Sequence, residues 1–286
     1  MKKWIVLIGL VFLIFAGCVP QKEPAQIVAT TLPVYEFASR LCAGTELSVA
    51  QLVTENVSCL HDYSLSVSQM RAVEQAELVV ISGAGLEDFL EDVIGQKPVI
   101  DSSADIPLLG CDHDHDHGHD HAHDAHIWLS TANARNMVEN ICRGLKQMYP
   151  AHAEVFRRNS QTLLDEIDAL ETYGKQQLSD LSCREMITFH DGFSYFAECF
   201  DLTVLKAVEE ESGSEASASE LIGLIELTQT HQLPAVFTEK NGSTSASQIL
   251  SRETGVKVFA LDMAMSGDSW YGAMTHNINT VKEALG

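Results

Sequence analysis

Positive charge is scarce in this chain. Eighteen Lys and Arg stand against forty Asp and Glu, for a formal net charge of −22. Such a surface repels nucleic-acid phosphates and excludes nucleic acid as a partner. The apolar run at the start, Ile5 to Phe15, falls short of the roughly 20 residues that a membrane-spanning helix needs. No two cysteines have zinc-finger spacing, and no His-Glu-x-x-His motif is present. The usual signatures of a structural zinc site and a zinc protease are therefore missing.

Histidine, by contrast, is concentrated. Asp112 to His126 reads Asp-His-Asp-His-Asp-His-Gly-His-Asp-His-Ala-His-Asp-Ala-His, and holds seven of the twelve histidines. It stops abruptly at the apolar Ile127-Trp128-Leu129. Short His-rich tracts read as metal binding, since neutral imidazole is the commonest protein ligand for zinc and its neighbours. The alternating aspartates add hard oxygen ligands and a negative potential that concentrates cations. A segment this biased cannot bury a core. Its histidines (His113, His115, His117, His119, His121 and His123) therefore read as a loose, weak collector, and the shaped site is expected elsewhere.

The N-terminal residues point to export. Lys2-Lys3 precede the apolar run, as in a secretory signal, and Phe15-Ala16-Gly17-Cys18 follows. Small residues before a cysteine are the pattern of a bacterial lipoprotein cleavage site, with Cys18 lipidated; an ordinary signal peptide is the alternative. The expected division is a signal peptide over 1–17 and a lipidated tether over 18–25. An N-terminal lobe over 26–148 (His/Asp-rich loop 111–125), a linking helix over 149–181 and a C-terminal lobe over 182–286 follow. Beyond Cys18 lie Cys42, Cys59, Cys111, Cys142, Cys183 and Cys199, an even number that permits disulfides in an exported chain; buried free thiols are equally compatible.

Short β-rich runs alternate with helical patterns. Strands are expected at Gln26–Thr30, Leu47–Leu52, Leu78–Ser82 and Pro98–Asp101, with helices at Tyr35–Cys42, Val67–Glu74, Leu86–Ile94 and Ala132–Lys146. Ser66 and Gln69 form a candidate capping box. Gly83-Ala84-Gly85 reads as a turn. From Pro150 to about Asp180, Phe156, Leu163, Ile167, Leu170 and Leu178 repeat at helical spacing, long enough for a stiff spine between lobes. Beyond it, strands at Glu185–Phe189, Thr203–Val208, Ala235–Thr238 and Val256–Leu261 alternate with helices at Gly192–Cys199, Ser219–Gln229, Ser243–Thr254 and Ser269–Leu285. This alternation implies an α/β fold of two similar lobes with mostly parallel sheets, joined by one long helix.

The isolated histidines then gain weight. His190 directly follows one expected strand and Asp262 another, and ligands bind beyond the carboxyl ends of strands in open α/β sheets. His61 and His126 lie on loops of the first lobe. Three imidazoles with one carboxylate or water suit tetrahedral zinc; each histidine taken alone reads equally as a hydrogen-bonded loop residue. His152, His231 and His276 have only that second reading. Met263 and Met265 read as packing, with copper(I) as the alternative. For a zinc hydrolase, Glu239 or Asp191 would have to serve as base.

A series of segments carries a specific resemblance. They are Thr30-Thr31-Leu32-Pro33-Val34-Tyr35, His61-Asp62-Tyr63-Ser64, Gly83-Ala84-Gly85-Leu86-Glu87, His126-Ile127-Trp128-Leu129-Ser130, Phe189-His190-Asp191-Gly192-Phe193, Phe237-Thr238-Glu239, Thr254-Gly255-Val256, Leu261-Asp262 and Gly267-Asp268-Ser269. In this order the chain resembles the zinc-specific solute-binding lipoproteins of bacterial ABC transporters, the cluster A-I substrate-binding proteins of high-affinity zinc uptake. The resemblance implies two lobes bridged by a long rigid helix with the metal site in the interlobe cleft. It implies His61, His126 and His190 as ligands of a transported Zn2+, and Asp262 or water as the fourth. Met263 stands where a proline is common. Manganese members usually carry glutamate at the third position, where this chain has His190. A monomer is expected, extracytoplasmic and held to a bacterial membrane (cell surface or periplasm) by lipid on Cys18. It would work with an ABC permease and its ATPase, and not as an enzyme. A manganese-binding relative, or a surface zinc store or adhesin, is the alternative.

Overall fold

Two four-stranded sheets, every paired strand parallel, organise the chain. A computed structural model describes residues 24–55, 60, 63–110, 123–208 and 216–286. Cys18, His61, His113, His115, His117, His119 and His121 lie outside the described residues, as do Cys59 and Cys111.

The first lobe runs β1 (Ile27–Ala29), α1 (Leu32–Cys42), β2 (Val49–Gln51), α2 (Val67–Gln75), β3 (Leu78–Ile81), α3 (Glu91–Ile94), β4 (Val99–Asp101) and α4 (Thr131–Met148). Its strand order is β2-β1-β3-β4. The second lobe contains β5 (Glu185–Thr188), α6 (Ser194–Cys199), β6 (Thr203–Ala207), α7 (Ala218–Thr230), β7 (Ala235–Glu239), α8 (Ser245–Thr254), β8 (Lys257–Leu261) and α9 (Trp270–Leu285). Its order, β6-β5-β7-β8, repeats the same plan. In both sheets the chain reverses its direction of winding between the two central strands, which opens a crevice at their carboxyl ends.

Local chemistry accounts for the boundaries. Ser66 accepts from Gln69 N–H while the Gln69 side chain takes the Ser66 N–H, the expected capping box at the start of α2. Ser217 and Glu220 do the same for α7, so that helix begins one residue earlier than its apolar pattern suggests. Gly83, Ala84 and Gly85 all have positive φ, and this tight turn leaves only a 3-10 turn and the one-turn α3 where a helix over Leu86–Ile94 was expected. Most strands are shorter than their β-rich runs by one to three residues, lost at either end.

Between the lobes runs α5 (Ala153–Gln177), preceded by a 3-10 turn at Pro150–His152. Its 25 residues span about 37 Å. Its first half fastens to the first lobe: Asn159 donates to the Leu41 and Ala43 carbonyls, and Arg40 pairs with Glu166 at 2.7 Å. Its second half is shared: Arg135 and Thr131 of α4 reach Asp168 and Glu171, while the Tyr173 hydroxyl donates to Asn279 of α9 in the second lobe. At Gly174 the helix continues unbroken, and a Cβ there would fall 2.3 Å from Phe200 and 3.0 Å from Ile278. The glycine thus lets α5 press against the second lobe.

Two indoles add a direct interlobe lock. Trp128 Nε1 donates to the Met263 carbonyl, and Trp270 Nε1 donates to the Trp128 carbonyl, both at 2.8 Å. Both rings are buried, and Trp270 stacks edge-on against Phe37 of α1. Met263 and Met265 are buried in the same apolar cluster, which is the packing role. Cys42, Cys142, Cys183 and Cys199 are free thiols.

At the carboxyl end of the first sheet, Glu87 is a buried staple. Its carboxylate accepts from the Thr30 hydroxyl and from the Ser82 and Gly83 N–H groups. Burial nevertheless pushes its pKa from 4.5 up to about 7. Between those values the folded chain keeps a proton that the unfolded chain has released, so stability from this residue falls as pH rises from about 4.5 to about 7. Urea unfolding of the wild type and Glu87→Gln across that range should show the wild type losing ground to the variant as pH rises. A pH-independent difference would contradict the assignment.

Candidate metal centre

The crevice of the second sheet is lined by residues from its two central strands. His190 follows β5, and Glu239 is the last residue of β7. Facing them is His126, in the first lobe, immediately before the buried 3-10 turn Ile127–Leu129. The His126 and His190 Nε2 atoms lie 3.5 Å apart across the cleft. Their rings meet nearly perpendicular, with centroids at 5.3 Å. The Trp128 ring packs edge-on against His126 at 5.4 Å.

Each imidazole has a carboxylate behind it. His126 Nδ1 lies 2.8 Å from Asp124 Oδ1, which also accepts the His126 backbone N–H. His190 Nδ1 lies 3.3 Å from Glu239 Oε2. An ionised carboxylate only accepts, and in that form each favours the hydrogen on Nδ1 and leaves Nε2 free to bind a cation. At this distance either one shared hydrogen or a cation between them satisfies both Nε2 atoms. Asp124 and Glu239 are both buried. Burial, and next the charge of Asp262, push the Glu239 carboxyl up to about 7, against the lowering influence of His126. A divalent cation beside His190 would oppose both raising effects. The geometry therefore suits a cation held by nitrogen.

Asp262 follows β8 as expected, and is buried. Its Oδ1 accepts from the Ala264 N–H at 2.8 Å, its Oδ2 lies 3.1 Å from Lys240 Nζ, and Asn277 brackets its backbone through two hydrogen bonds. Among the described residues, no three His, Cys, Asp or Glu side chains form a metal-holding group. His126 and His190 are thus brought together, Asp262 stands at the rim with its oxygens engaged, and His61 lies outside the described residues. His123 forms an antiparallel bridge with Gly110 rather than joining the pair. Asp124 and Ala125, assigned from the sequence to the loop, are buried and belong to the site's framework. The remaining histidines are hydrogen-bonded outside it: His152 to Glu46, His231 to Glu185 and His276 to the Ala260 carbonyl.

Sequence reasoning missed the orienting roles of Asp124 and Glu239. Both had a signal. Asp124 precedes His126 by two residues, within reach of its ring, and Glu239 occupies a strand end like His190 and Asp262. Gly192 was also unread. A Cβ at Gly192 would fall 2.6 Å from Met263 Cε, 2.9 Å from His190 Cδ2 and 3.0 Å from His126 Nδ1. Only a residue without a side chain lets both rings and Met263 close on this point. Gly192→Ala should therefore cost about 1–3 kcal/mol through overpacking; an unchanged urea midpoint would contradict the close approach.

Known proteins share this plan. The family model described as zinc-uptake complex component A, periplasmic (ZnuA), matches residues 27–284. The zinc-binding lipoprotein AdcA of Streptococcus pneumoniae is 28% identical over 302 aligned positions; the alignment covers 98% of this chain but only 60% of that lipoprotein. A crystal structure of ZnuA superposes with a TM-score of 0.81 at 26% identity, over 92% of this chain and 100% of the other. The protein FpvC of Pseudomonas aeruginosa, solved with Mn2+, gives 0.81 at 25% identity, over 92% and 99%. With a family match across both lobes and their crevice, the chain belongs to the ZnuA family of zinc-uptake component A proteins.

Proposed function

We propose that this protein captures Zn2+ in its interlobe cleft and delivers it to an ABC permease driven by its ATPase. The ion is cargo, and the protein supplies binding and presentation with no chemical step. His126 and His190 bind through Nε2, His61 supplies the third imidazole, and water takes the fourth position. Asp262, with both oxygens engaged, adds negative potential in place of a fourth bond. The lipidated Cys18 would tether the protein to the outer face of a bacterial membrane. The His/Asp-rich segment would gather ions weakly nearby.

One observation carries this reading. Two ligands of a tetrahedral zinc with bonds of about 2.0–2.1 Å sit about 3.3 Å apart, and the two Nε2 atoms are separated by 3.5 Å. The carboxylates on both Nδ1 atoms support it, since they fix the tautomer a metal requires. An all-imidazole set disfavours manganese, which prefers carboxylates and sits low in the Irving–Williams order. Imidazoles must be unprotonated to bind, so acid should weaken capture.

Zinc titration against a competing chromophoric chelator tests the assignment on four forms: intact, lacking residues 112–122, His61→Ala and His190→Ala. The intact and shortened proteins should each hold one tight ion, with only the weak extra ions lost from the shortened form. Each histidine variant should lose affinity by more than the about 10–100-fold typical of an outer hydrogen-bonding partner. Histidine variants that bind zinc like the intact protein would refute the site, and preferential retention of Mn2+ in competition would refute the choice of metal.

A further inference from the structure

Tyr195 lies in α6 of the second lobe, five residues after His190, yet its hydroxyl is spent on the first lobe. It accepts from the Leu109 N–H at 2.9 Å and donates to the Asp124 carbonyl at 3.0 Å. The ring is buried, at 2% exposure. Leu109 and Asp124 are also joined to each other, the Asp124 N–H donating to the Leu109 carbonyl at 3.0 Å, with the Gly110–His123 bridge beside them. The hydroxyl thus reaches across the cleft to the place where the segments around Leu109 and Asp124 meet through one isolated bridge. One of those segments carries the carboxylate that holds His126 Nδ1.

We infer that Tyr195 is a positioning residue for metal capture, its hydroxyl fixing the Asp124 backbone, and through Asp124 the His126 imidazole, relative to His190 on its own segment. The inference rests on the zinc-capture reading above. The route is short: Tyr195 hydroxyl, Asp124 main chain, Asp124 carboxylate, His126 Nδ1. Residues 190–195 carry one imidazole at one end and the clamp on the other imidazole's support at the other. Residues 190–195 thus tie the two rings together locally, in addition to the helix and indole contacts that hold the lobes. A binding site needs its ligating atoms held to within about 0.5 Å, and neither lobe alone fixes a distance between lobes at that precision. Phenylalanine would fill the space of the ring and remove only the hydroxyl. It would leave a buried carbonyl and a partly buried N–H without this partner, so the Asp124 segment gains freedom where His126 is aimed.

The test compares wild type, Tyr195→Phe, Asp124→Asn, the double variant and His190→Ala. Zinc affinity is read by chelator competition, and the cobalt(II) ligand-field band reports ligand geometry. A thermal melt without metal confirms that each variant folds. Tyr195→Phe should fold, weaken zinc about 10–100-fold and alter the cobalt band, which loss of stability alone would not do. Asp124→Asn should act similarly, and the double variant should be little weaker than the worse single, because both changes act along one route. Wild-type zinc affinity with an unchanged cobalt band in Tyr195→Phe would overturn the inference. So would losses that multiply in the double variant. If His190→Ala also binds zinc like wild type, the capture reading itself fails, and this inference falls with it.

Discussion

Two imidazoles that face each other across the cleft, their Nε2 atoms 3.5 Å apart, form the constraint on which the rest of this structure depends. Asp124 and Glu239 hold the outer nitrogens, Gly192 leaves room for the rings to approach, and Trp128 backs one of them. Every one of these groups is buried or nearly so, and water cannot screen the arrangement. Burying acidic side chains without matching positive charge is costly, and Lys240 balances only part of it from the rim. A dication between the rings would bind both Nε2 atoms and offset the excess of negative charge.

Holding that pair requires two lobes that keep their separation. The long helix α5 fastens to the first lobe along much of its length and to the second lobe near its C-terminal end. The Trp128–Met263 and Trp270–Trp128 hydrogen bonds cross the same boundary. Two lobes joined by a continuous helix and by buried indoles cannot swing apart like a hinge without losing those bonds. The pseudo-repeat of strand order extends the same logic. Each sheet puts a buried glutamate at its central crevice, Glu87 in the first and Glu239 in the second. Glu87 is absorbed by its own turn, whereas Glu239 faces a histidine. Similar architecture thus serves structure in one lobe and binding in the other.

Much of this was legible in the sequence, for identifiable reasons. Parallel α/β lobes announce themselves because buried strands are short apolar runs and the crossover helices keep a 3.6-residue period. The spine was readable from Phe156, Leu163, Ile167 and Leu170, all of which are buried. His190 and Asp262 were placed correctly at strand ends because that position follows from periodicity alone. What sequence could not give was direction. Nothing in the order of residues says that Glu239 turns toward His190, that Asp262 turns toward Lys240, or that the His/Asp-rich run becomes framework at Asp124. The helix expected over Leu86–Ile94 is instead a 3-10 turn at Asp88–Leu90 followed by the one-turn α3. These are consequences of contacts between segments far apart in the chain, which local pattern does not encode.

Anomalous diffraction at the zinc absorption edge, on crystals of the zinc-loaded full chain, tests the central claim most directly. A single strong peak about 2.0–2.1 Å from both His126 Nε2 and His190 Nε2, with a third nitrogen from His61, is the result this geometry predicts. A strong peak held elsewhere, with both imidazoles outside bonding distance of the metal, would contradict it.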